Sequence, residues 1–217
     1  MTFPFPQMPP SQGAATISFT ASAVNTANAT THTFSGVSIG TAASNRKIVV
    51  ASQHSSGTVP VSVSSMTVGG ISATFVVNQA SADGEAYVEI WQANVPTGTT
   101  ATIVVNYSGT VSRGGVGVWA VYGAAAAATD TGVSTANPLT DTLNIPAGGV
   151  AIGAASGSAG TSTAWTNLTE NYDENVEASI YQSGASSAFA TIQTALAIST
   201  NGYTGQACFA CASWGPA

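Results

Sequence analysis

The amino-acid sequence predicts an all-β protein, an antiparallel β-sandwich of jelly-roll-like type that follows an extended N-terminal arm. Apolar and polar residues alternate with a period of two along most of the chain, and turn residues separate these runs every ~8–12 residues. No stretch has the 3.6-residue periodicity of an amphipathic helix. This pattern is typical of a sandwich or jelly roll. We therefore predict one sandwich domain over residues 14–217 and an arm over residues 1–13.

Individual strands are clearest where apolar residues share one parity, as do Ile103, Val105 and Tyr107. Such residues line one face of a strand, while their polar neighbours line the other. In the run from Val61 to Val68 the parity switches at Ser64-Ser65, which predicts a β-bulge at that point.

Turn chemistry marks the ends of the strands. Gly69-Gly70 stands between Val68 and Ile71 and predicts a two-residue hairpin turn, because both glycines tolerate positive φ. The alanine run 124–128 fits either a helical turn, since alanine is the best helix former, or a plain crossover between two strand-rich halves.

The first 13 residues differ from the rest of the chain. Phe3-Pro4-Phe5-Pro6 and Pro9-Pro10 disfavour helix and favour an extended, polyproline-like backbone. Phe3 and Phe5 on such an arm are candidate anchors for a groove on a partner. A frayed terminus is the alternative reading.

The composition predicts a protein that associates. Charged residues make up only 6% of the chain, against roughly a quarter in average domains, while 44% of the residues are hydrophobic. An uncharged surface rich in hydroxyl groups has little electrostatic protection against association. We expect a homo-oligomer, with a trimer favoured. A secreted domain from an organism that favours small residues is the alternative.

Several partners and locations are disfavoured by charge and hydropathy. Arg46, Lys47 and Arg113 are the only basic residues, too few to neutralise a nucleic-acid backbone, and the net charge of −6 disfavours anionic membranes. The longest weakly polar stretch is shorter than the ~20 residues of a membrane span. The start lacks the features of a signal peptide, so we expect synthesis in a cytoplasm without export.

Signatures of catalysis are sparse, and we predict a protein that is not an enzyme. The chain has two histidines, His32 and His54, and no G-x-S-x-G elbow. His54 follows an apolar run and is interpreted as a polar residue close to a loop. Cys208 and Cys211 form a C-x-x-C in a predicted strand, where residues three apart point to opposite faces. We therefore interpret them as small buried residues rather than a redox or zinc pair.

Four of the nine acidic residues lie within eight positions: Glu170, Asp173, Glu174 and Glu177. A loop of carboxylates and amides suits the oxygen ligands of Ca²⁺, and two carboxylates at the right separation could serve a glycosidase. The simplest interpretation is a solvated loop. We predict no cofactor, with Ca²⁺ as the alternative.

Aromatic residues near this segment suggest a second kind of site. Trp165 and Tyr172, if exposed, could stack on sugar rings and bind glycans. Trp91, Trp119 and Trp214 instead lie within alternating strands, which predicts positions in the core or at an interface.

Three segments carry a resemblance to known proteins: Ser-Ser-Met-Thr-Val-Gly-Gly-Ile-Ser-Ala-Thr (64–74), Val-Pro-Thr-Gly-Thr-Thr-Ala-Thr-Ile-Val-Val (95–105) and Gly-Val-Gly-Val-Trp-Ala-Val-Tyr-Gly-Ala (115–124). They resemble uncharacterised β-rich proteins encoded among the structural genes of tailed bacteriophages and prophages. The resemblance covers most of residues 14–217 and brings no catalytic residues. It implies a virion component, since jelly-roll-like folds are common among decoration proteins, head fibres and tail appendages.

The leading hypothesis is a capsid decoration protein or another minor subunit of the particle surface, bound to capsid or tail proteins of the virion. The alternative is a carbohydrate-binding module of a tail fibre or a secreted protein that recognises surface glycans.

Overall fold

A computed structural model of the protein describes residues 13–56, 60–177 and 180–217, with the backbone alone at residues 159–162. The predicted anchors Phe3 and Phe5 lie outside the described residues. The strands are β1 (Thr16–Asn25), β2 (Ala29–Ser38), β3 (Arg46–Ser55), β4 (Val63–Val68), β5 (Ile71–Ser72), β6 (Thr74–Ala80), β7 (Ala86–Asn94), β8 (Thr100–Val111), β9 (Arg113–Tyr122), β10 (Asp130–Ser134), β11 (Leu139–Ile145), β12 (Gly149–Thr166), β13 (Thr169–Glu177), β14 (Ile180–Phe189) and β15 (Gln193–Trp214).

All pairings between these strands are antiparallel, and they form three sheets. The central sheet has the order β1-β9-β3-β7-β6. A four-stranded sheet has the order β2-β8-β4-β5. A six-stranded sheet has the order β10-β15-β12-β14-β13, with β11 also paired to β15.

The central sheet is covered on both faces, so β3 is buried along its whole length. Ile48 and Val50 pack with the four-stranded sheet in one core cluster, whereas Val49 and Ala51 pack with the six-stranded sheet in another. The predicted antiparallel β-sandwich is confirmed. The jelly-roll-like arrangement is not confirmed, because the pairings define a stack of three sheets.

The six-stranded sheet also folds over on itself. The long strand β15 contributes Ile198 from its first half and Phe209 from its second half to one cluster. Leu139 and Leu143 of β11 complete this third core, which lies on the side of the sheet away from the central sheet. The fold therefore has three apolar layers rather than the single layer of a two-sheet sandwich.

Two local predictions are confirmed in the four-stranded sheet. The pairing of β4 with β8 shifts register between Val63 and Ser65, which is the predicted bulge. Gly69 and Gly70 have φ values of 60° and 80° and connect β4 to β5. Positive φ at both central residues is the signature of a tight hairpin turn whose twist matches that of the strands.

The alanine segment 124–128 forms no helical turn but crosses the end of the central sheet as an irregular connection with a bend at 126–127. The Lys47 ammonium donates to the carbonyl oxygens of Ala125 and Ala126, and Gln92 Nε2 also donates to Ala126 O at 2.9 Å. These bonds tie the connection to β3 and β7. Within the described ranges, no helix is long and apolar enough to cross a membrane.

Arg46 joins two loops at the same end of the central sheet. Its side chain is buried, and all five of its N–H groups donate to backbone carbonyls. Nε donates to Val95 O at 2.8 Å, and the other four bonds, of 2.7–3.1 Å, reach the carbonyls of Ile39, Gly40, Thr97 and Gly98. The guanidinium thus satisfies carbonyls that lie beyond the ends of the strands.

Candidate functional site

Tyr172 lies in the core, so its predicted role as an exposed glycan-stacking residue is wrong. The ring stacks on Phe19 at a centroid distance of 5.4 Å, and its hydroxyl donates to Gln53 Oε1 at 2.5 Å. Burial raises the pKa of the phenol well above its usual value. A Cβ atom on Gly117 or Gly184 would collide with this ring. The lack of a side chain at Gly117 in β9 and at Gly184 in β14 therefore leaves the space that the Tyr172 ring fills.

Trp165 is half-buried and packs against the third core cluster. Its ring lies 5.8 Å from that of Phe209, and its Nε1 donates to Ser183 Oγ at 2.7 Å. Both contacts hold the indole against the protein. Trp91, Trp119 and Trp214, predicted in the core or at an interface, are all in the core.

The four acidic residues lie on a strand, so the predicted acidic loop is wrong. Glu170, Asp173, Glu174 and Glu177 all belong to β13, an edge strand of the six-stranded sheet. A strand points successive side chains to opposite faces. In the described part of the chain, no three His, Cys, Asp or Glu side chains are grouped so as to hold a metal ion. The sequence suggested a Ca²⁺ site here, and the geometry does not assemble one.

Three of these acids bind groups of the protein itself. Asp173 accepts the backbone N–H of Thr163 at 2.8 Å, and Glu174 accepts the Ser22 hydroxyl at 2.5 Å. Glu177 forms an ion pair of 3.1 Å with Arg113 Nε.

Glu170 is exposed. Partial burial of the carboxyl, with the neighbouring charge of Asp173, raises its pKa. The acids of β13 thus act separately rather than as one ligand set.

The two cysteines lie on opposite faces of the six-stranded sheet, as predicted. Cys208 belongs to the cluster shared with the central sheet, and Cys211 belongs to the third cluster. Both thiols are free and buried, and burial raises the pKa of each far above its usual value. They are therefore poorly suited to redox or nucleophilic chemistry.

A buried aromatic and histidine cluster lies at one end of the central sheet. His54 stands one residue before the end of β3, next to a loop as interpreted, but its side chain is fully buried. Its ring stacks on Tyr87 at 5.2 Å and lies 4.8 Å from the ring of Tyr107, which also packs edge-on against His32. The His54 Nε2 is 2.7 Å from Val61 O, and burial lowers its pKa to about 4.

Glu89 is also buried, and among the described residues no basic side chain lies within hydrogen-bond distance of its carboxyl. Its carboxyl accepts the backbone N–H of Val63 at 2.6 Å and the Trp91 indole N–H at 3.3 Å. Burial raises its pKa, which favours the neutral acid. This carboxyl holds β4 of the four-stranded sheet against β7 of the central sheet, and its burial fits a structural role.

The feature that best fits a binding site is an open groove of about 700 Å³ at one edge of the molecule. Its wall is formed by residues of β5, β6, β7 and β10 and by the 126–128 segment. Ile71 and Phe75, two of the wall residues, are large apolar side chains exposed to 39% and 48%. The Phe75 ring packs edge-on against Trp91 at 5.6 Å. An aromatic side chain fixed on the core and half open to solvent is suited to receive an apolar partner.

The edges of the sheets differ in charge. β13 carries four carboxylates, which discourage pairing with another strand. β6 contains no charged residue and has β7 as its only hydrogen-bonded neighbour among the described strands. Natural sheets protect such edges with charges, prolines or a covering segment. The β6 strand carries neither a charge nor a proline, so neither of these devices opposes pairing at its edge.

Comparisons with protein-family models, with curated proteins and with solved structures find no match. A functional assignment therefore depends on the chemistry of the molecule itself. The groove and the β6 edge, which we call the β6 groove, are the candidate site. Sequence reasoning missed it, although the uncharged stretch 71–80 was a usable signal.

Proposed function

We propose that the protein is a non-enzymatic structural subunit of a tailed-phage virion, most specifically a capsid decoration protein or another minor subunit of the particle surface. The resemblance of segments 64–74, 95–105 and 115–124 to phage structural proteins supports the phage assignment. A binding role on a particle fits a chain that is 6% charged and carries an apolar groove beside an uncharged strand edge.

The observation that carries the proposal is the β6 groove. Large apolar patches on a soluble protein mark interaction sites, and Phe75 is 48% exposed although its ring is held by Trp91. Two titratable groups of the interior make structural contacts: His54 with Val61 O, and Glu89 with two N–H donors. An adhesive subunit is the function that these features support best.

Attachment to the particle would use the N-terminal arm together with an uncharged face. Phe3 and Phe5 are the proposed anchors, and capsid or tail proteins are the proposed partners. Extended arms bind by adding a strand or by placing side chains in a groove.

The test is incorporation into particles of a phage that encodes the chain. The double variant Phe3→Ala/Phe5→Ala should be absent from purified particles while its circular dichroism and melting temperature match the parent chain. Ile192→Ala is the control, because Ile192 is exposed to 70% and lies outside the β6 groove. Full incorporation of the double variant would contradict the proposed role of the arm, and absence of the parent chain from particles would contradict the virion assignment.

A carbohydrate-binding module is the second proposal, and the position of Trp165 limits it. The Trp165 side chain is only half-buried, so part of it is accessible to a sugar ring, whereas Tyr172 is buried. Binding to a panel of bacterial surface polysaccharides that Trp165→Ala abolishes would favour this function. Equal binding by the parent chain and Trp165→Ala would argue against the indole as the site.

A further inference from the structure

We infer that the β6 groove binds the N-terminal segment 3–7 of a neighbouring copy of the same chain, which adds to the central sheet as a new edge strand. This deepens the proposed function: the arm and the β6 groove would join neighbouring copies into an oligomer, and Phe3 and Phe5 would act in attachment to the particle through that oligomer. Self-association itself does not require a phage particle.

The recipient edge has the properties that strand addition needs. β6 is paired on one side only within the described sheets, and its sequence Thr74–Ala80 carries no charge. At its start, Phe75 and Ile71 leave apolar surface exposed. Addition of a strand supplies backbone hydrogen bonds, while pockets for alternate side chains supply specificity.

Pro4 and Pro6 alternate with Phe3 and Phe5, and this spacing fits an added strand at the edge of a sheet. In a strand, the N–H groups of alternate residues point to the same side. If the N–H groups of Phe3, Phe5 and Gln7 face β6, then Pro4 and Pro6 fall on the outer side, where no partner is needed. Proline is tolerated in that place because it has no N–H to lose. The two prolines would also prevent a further strand from adding.

The side chains follow the same alternation. Phe3 and Phe5 share one face of such a strand, so both can lie against the groove. The groove volume of about 700 Å³ is within the ~300–1,000 Å³ of pockets that enclose ligands. The segment 1–12 has no charged side chain, and none of the described residues in the groove wall is charged. Donor and recipient thus match in polarity.

The position of Gly13 favours a neighbouring copy over the same chain. Gly13 lies three residues before β1, at the opposite edge of the central sheet from β6. Four strand spacings separate these edges, or about 19 Å. The six steps from Gln7 to Gly13 reach about 20–22 Å when fully extended. That leaves no slack for a path around the 124–128 connection, which crosses the ends of β3 and β7.

Such a contact joins two different surfaces of identical chains. It is a heterologous interface, which closes into a ring when the rotation between copies permits. A small ring agrees with the expected trimer, and each copy would then be donor and recipient at once.

The first test is the mass of the full chain by light scattering after size-exclusion chromatography. The parent chain should be an oligomer. Phe3→Ser/Phe5→Ser and Phe75→Ser should each give the monomer mass of 21.4 kDa with unchanged circular dichroism. Ile192→Ser, an exposed apolar residue outside the groove, should stay oligomeric. A monomeric parent chain, or an oligomer that survives both variants, would overturn the inference.

The second test identifies the site and the donor chain. Thr2→Cys can be labelled with a benzophenone maleimide, because the native cysteines are buried. Mixed light and isotope-labelled chains are then irradiated, and cross-links are located by mass spectrometry. Cross-links between light and heavy chains that end within residues 71–80 support the inference. Cross-links only within one chain, or to another surface, contradict it.

The two proposals fail in different ways. An oligomer that depends on Phe5 and Phe75 but never associates with particles would retain the arm site and reject the virion assignment. If the parent chain decorates particles but Phe75→Ser leaves the oligomeric mass unchanged, the virion assignment is retained and the arm site is rejected.

Discussion

The hydroxyl of Tyr172 donates a hydrogen bond to Gln53 Oε1, and this bond ties an edge strand of the six-stranded sheet to the middle of the central sheet. The Gln53 amide is otherwise saturated, because its Nε2 donates to Ala155 O and Ser183 O at 2.6 Å and 2.8 Å. The interface between these two sheets is thus held by a polar bridge within an apolar layer.

Tyr172→Phe should lower the free energy of unfolding by about 1–3 kcal/mol, because it leaves Gln53 Oε1 buried without a donor. Urea denaturation of both chains measures this difference. Tyr122→Phe is the matched control, since its hydroxyl bonds to Thr41 O in an exposed place where water can substitute. Equal losses of unfolding free energy in the two variants would show that the buried Tyr172 bond stabilises the fold no more than the exposed Tyr122 bond.

Arg46→Lys should destabilise the protein by about 3 kcal/mol or more. Lysine has three donors on one nitrogen and cannot replace the five directed N–H groups that bind carbonyls on two loops. Arg113→Lys is the control, because its half-exposed ion pair with Glu177 is worth about 0–1 kcal/mol. Chemical denaturation at one salt concentration compares them, and similar stability of both variants would contradict the assigned role of Arg46.

Acid should destabilise the fold through His54. The folded state holds this imidazole with a pKa of about 4, below its usual value of 6.5. Its contribution to stability is therefore complete above pH 6.5, falls as the pH drops through this range, and levels off below about 4. The full effect is up to about 3 kcal/mol. Urea midpoints between pH 7 and pH 4 should fall steeply in the parent chain and less in His54→Gln.

Glu89 acts in the opposite direction, since its raised pKa means that the fold favours the protonated acid. Its contribution to stability therefore grows as the pH falls towards 4.5. Glu89→Gln should steepen the loss of stability in acid relative to the parent chain. If neither substitution changes the pH dependence of stability, then neither His54 nor Glu89 is its cause.

Neither cysteine should react with a thiol reagent in the native protein. Cys208 and Cys211 are buried on opposite faces of one sheet, and burial raises the pKa of both thiols. Ellman's reagent should report no thiol in buffer and two in denaturant. Rapid reaction of one native thiol, or an internal disulfide found by mass spectrometry, would contradict the buried, separate placement.

Much of the local structure could be predicted because it depends on neighbours in the sequence. Alternation located β8, where Ile103, Val105 and Tyr107 are buried while Thr102 is exposed. The change of parity at Ser64 located the bulge, and the spacing of the cysteines placed them on opposite faces. Each of these follows from the period of two in a strand.

The layering and the site could not be predicted in the same way, because they depend on distant partners. Gln53 and His54 are polar yet buried, and the carbonyls that satisfy Gln53 come from β12 and β14. The acids beside Tyr172 in the sequence give no sign of its burial, because the space for its ring is made by Gly117 and Gly184. One signal was available: apolar residues of both parities in Ile48–Ala51 are typical of a strand covered on two faces.

The covering of both faces of the central sheet has a consequence for synthesis on the ribosome. β1, β3, β7 and β9 leave the exit tunnel before β12 and β15, whose residues cover Val49 and Trp119. A nascent chain that has completed the central sheet therefore still exposes one apolar face. Such intermediates are prone to aggregation and to capture by chaperones. The yield of native protein should consequently be limited by how quickly the later strands follow.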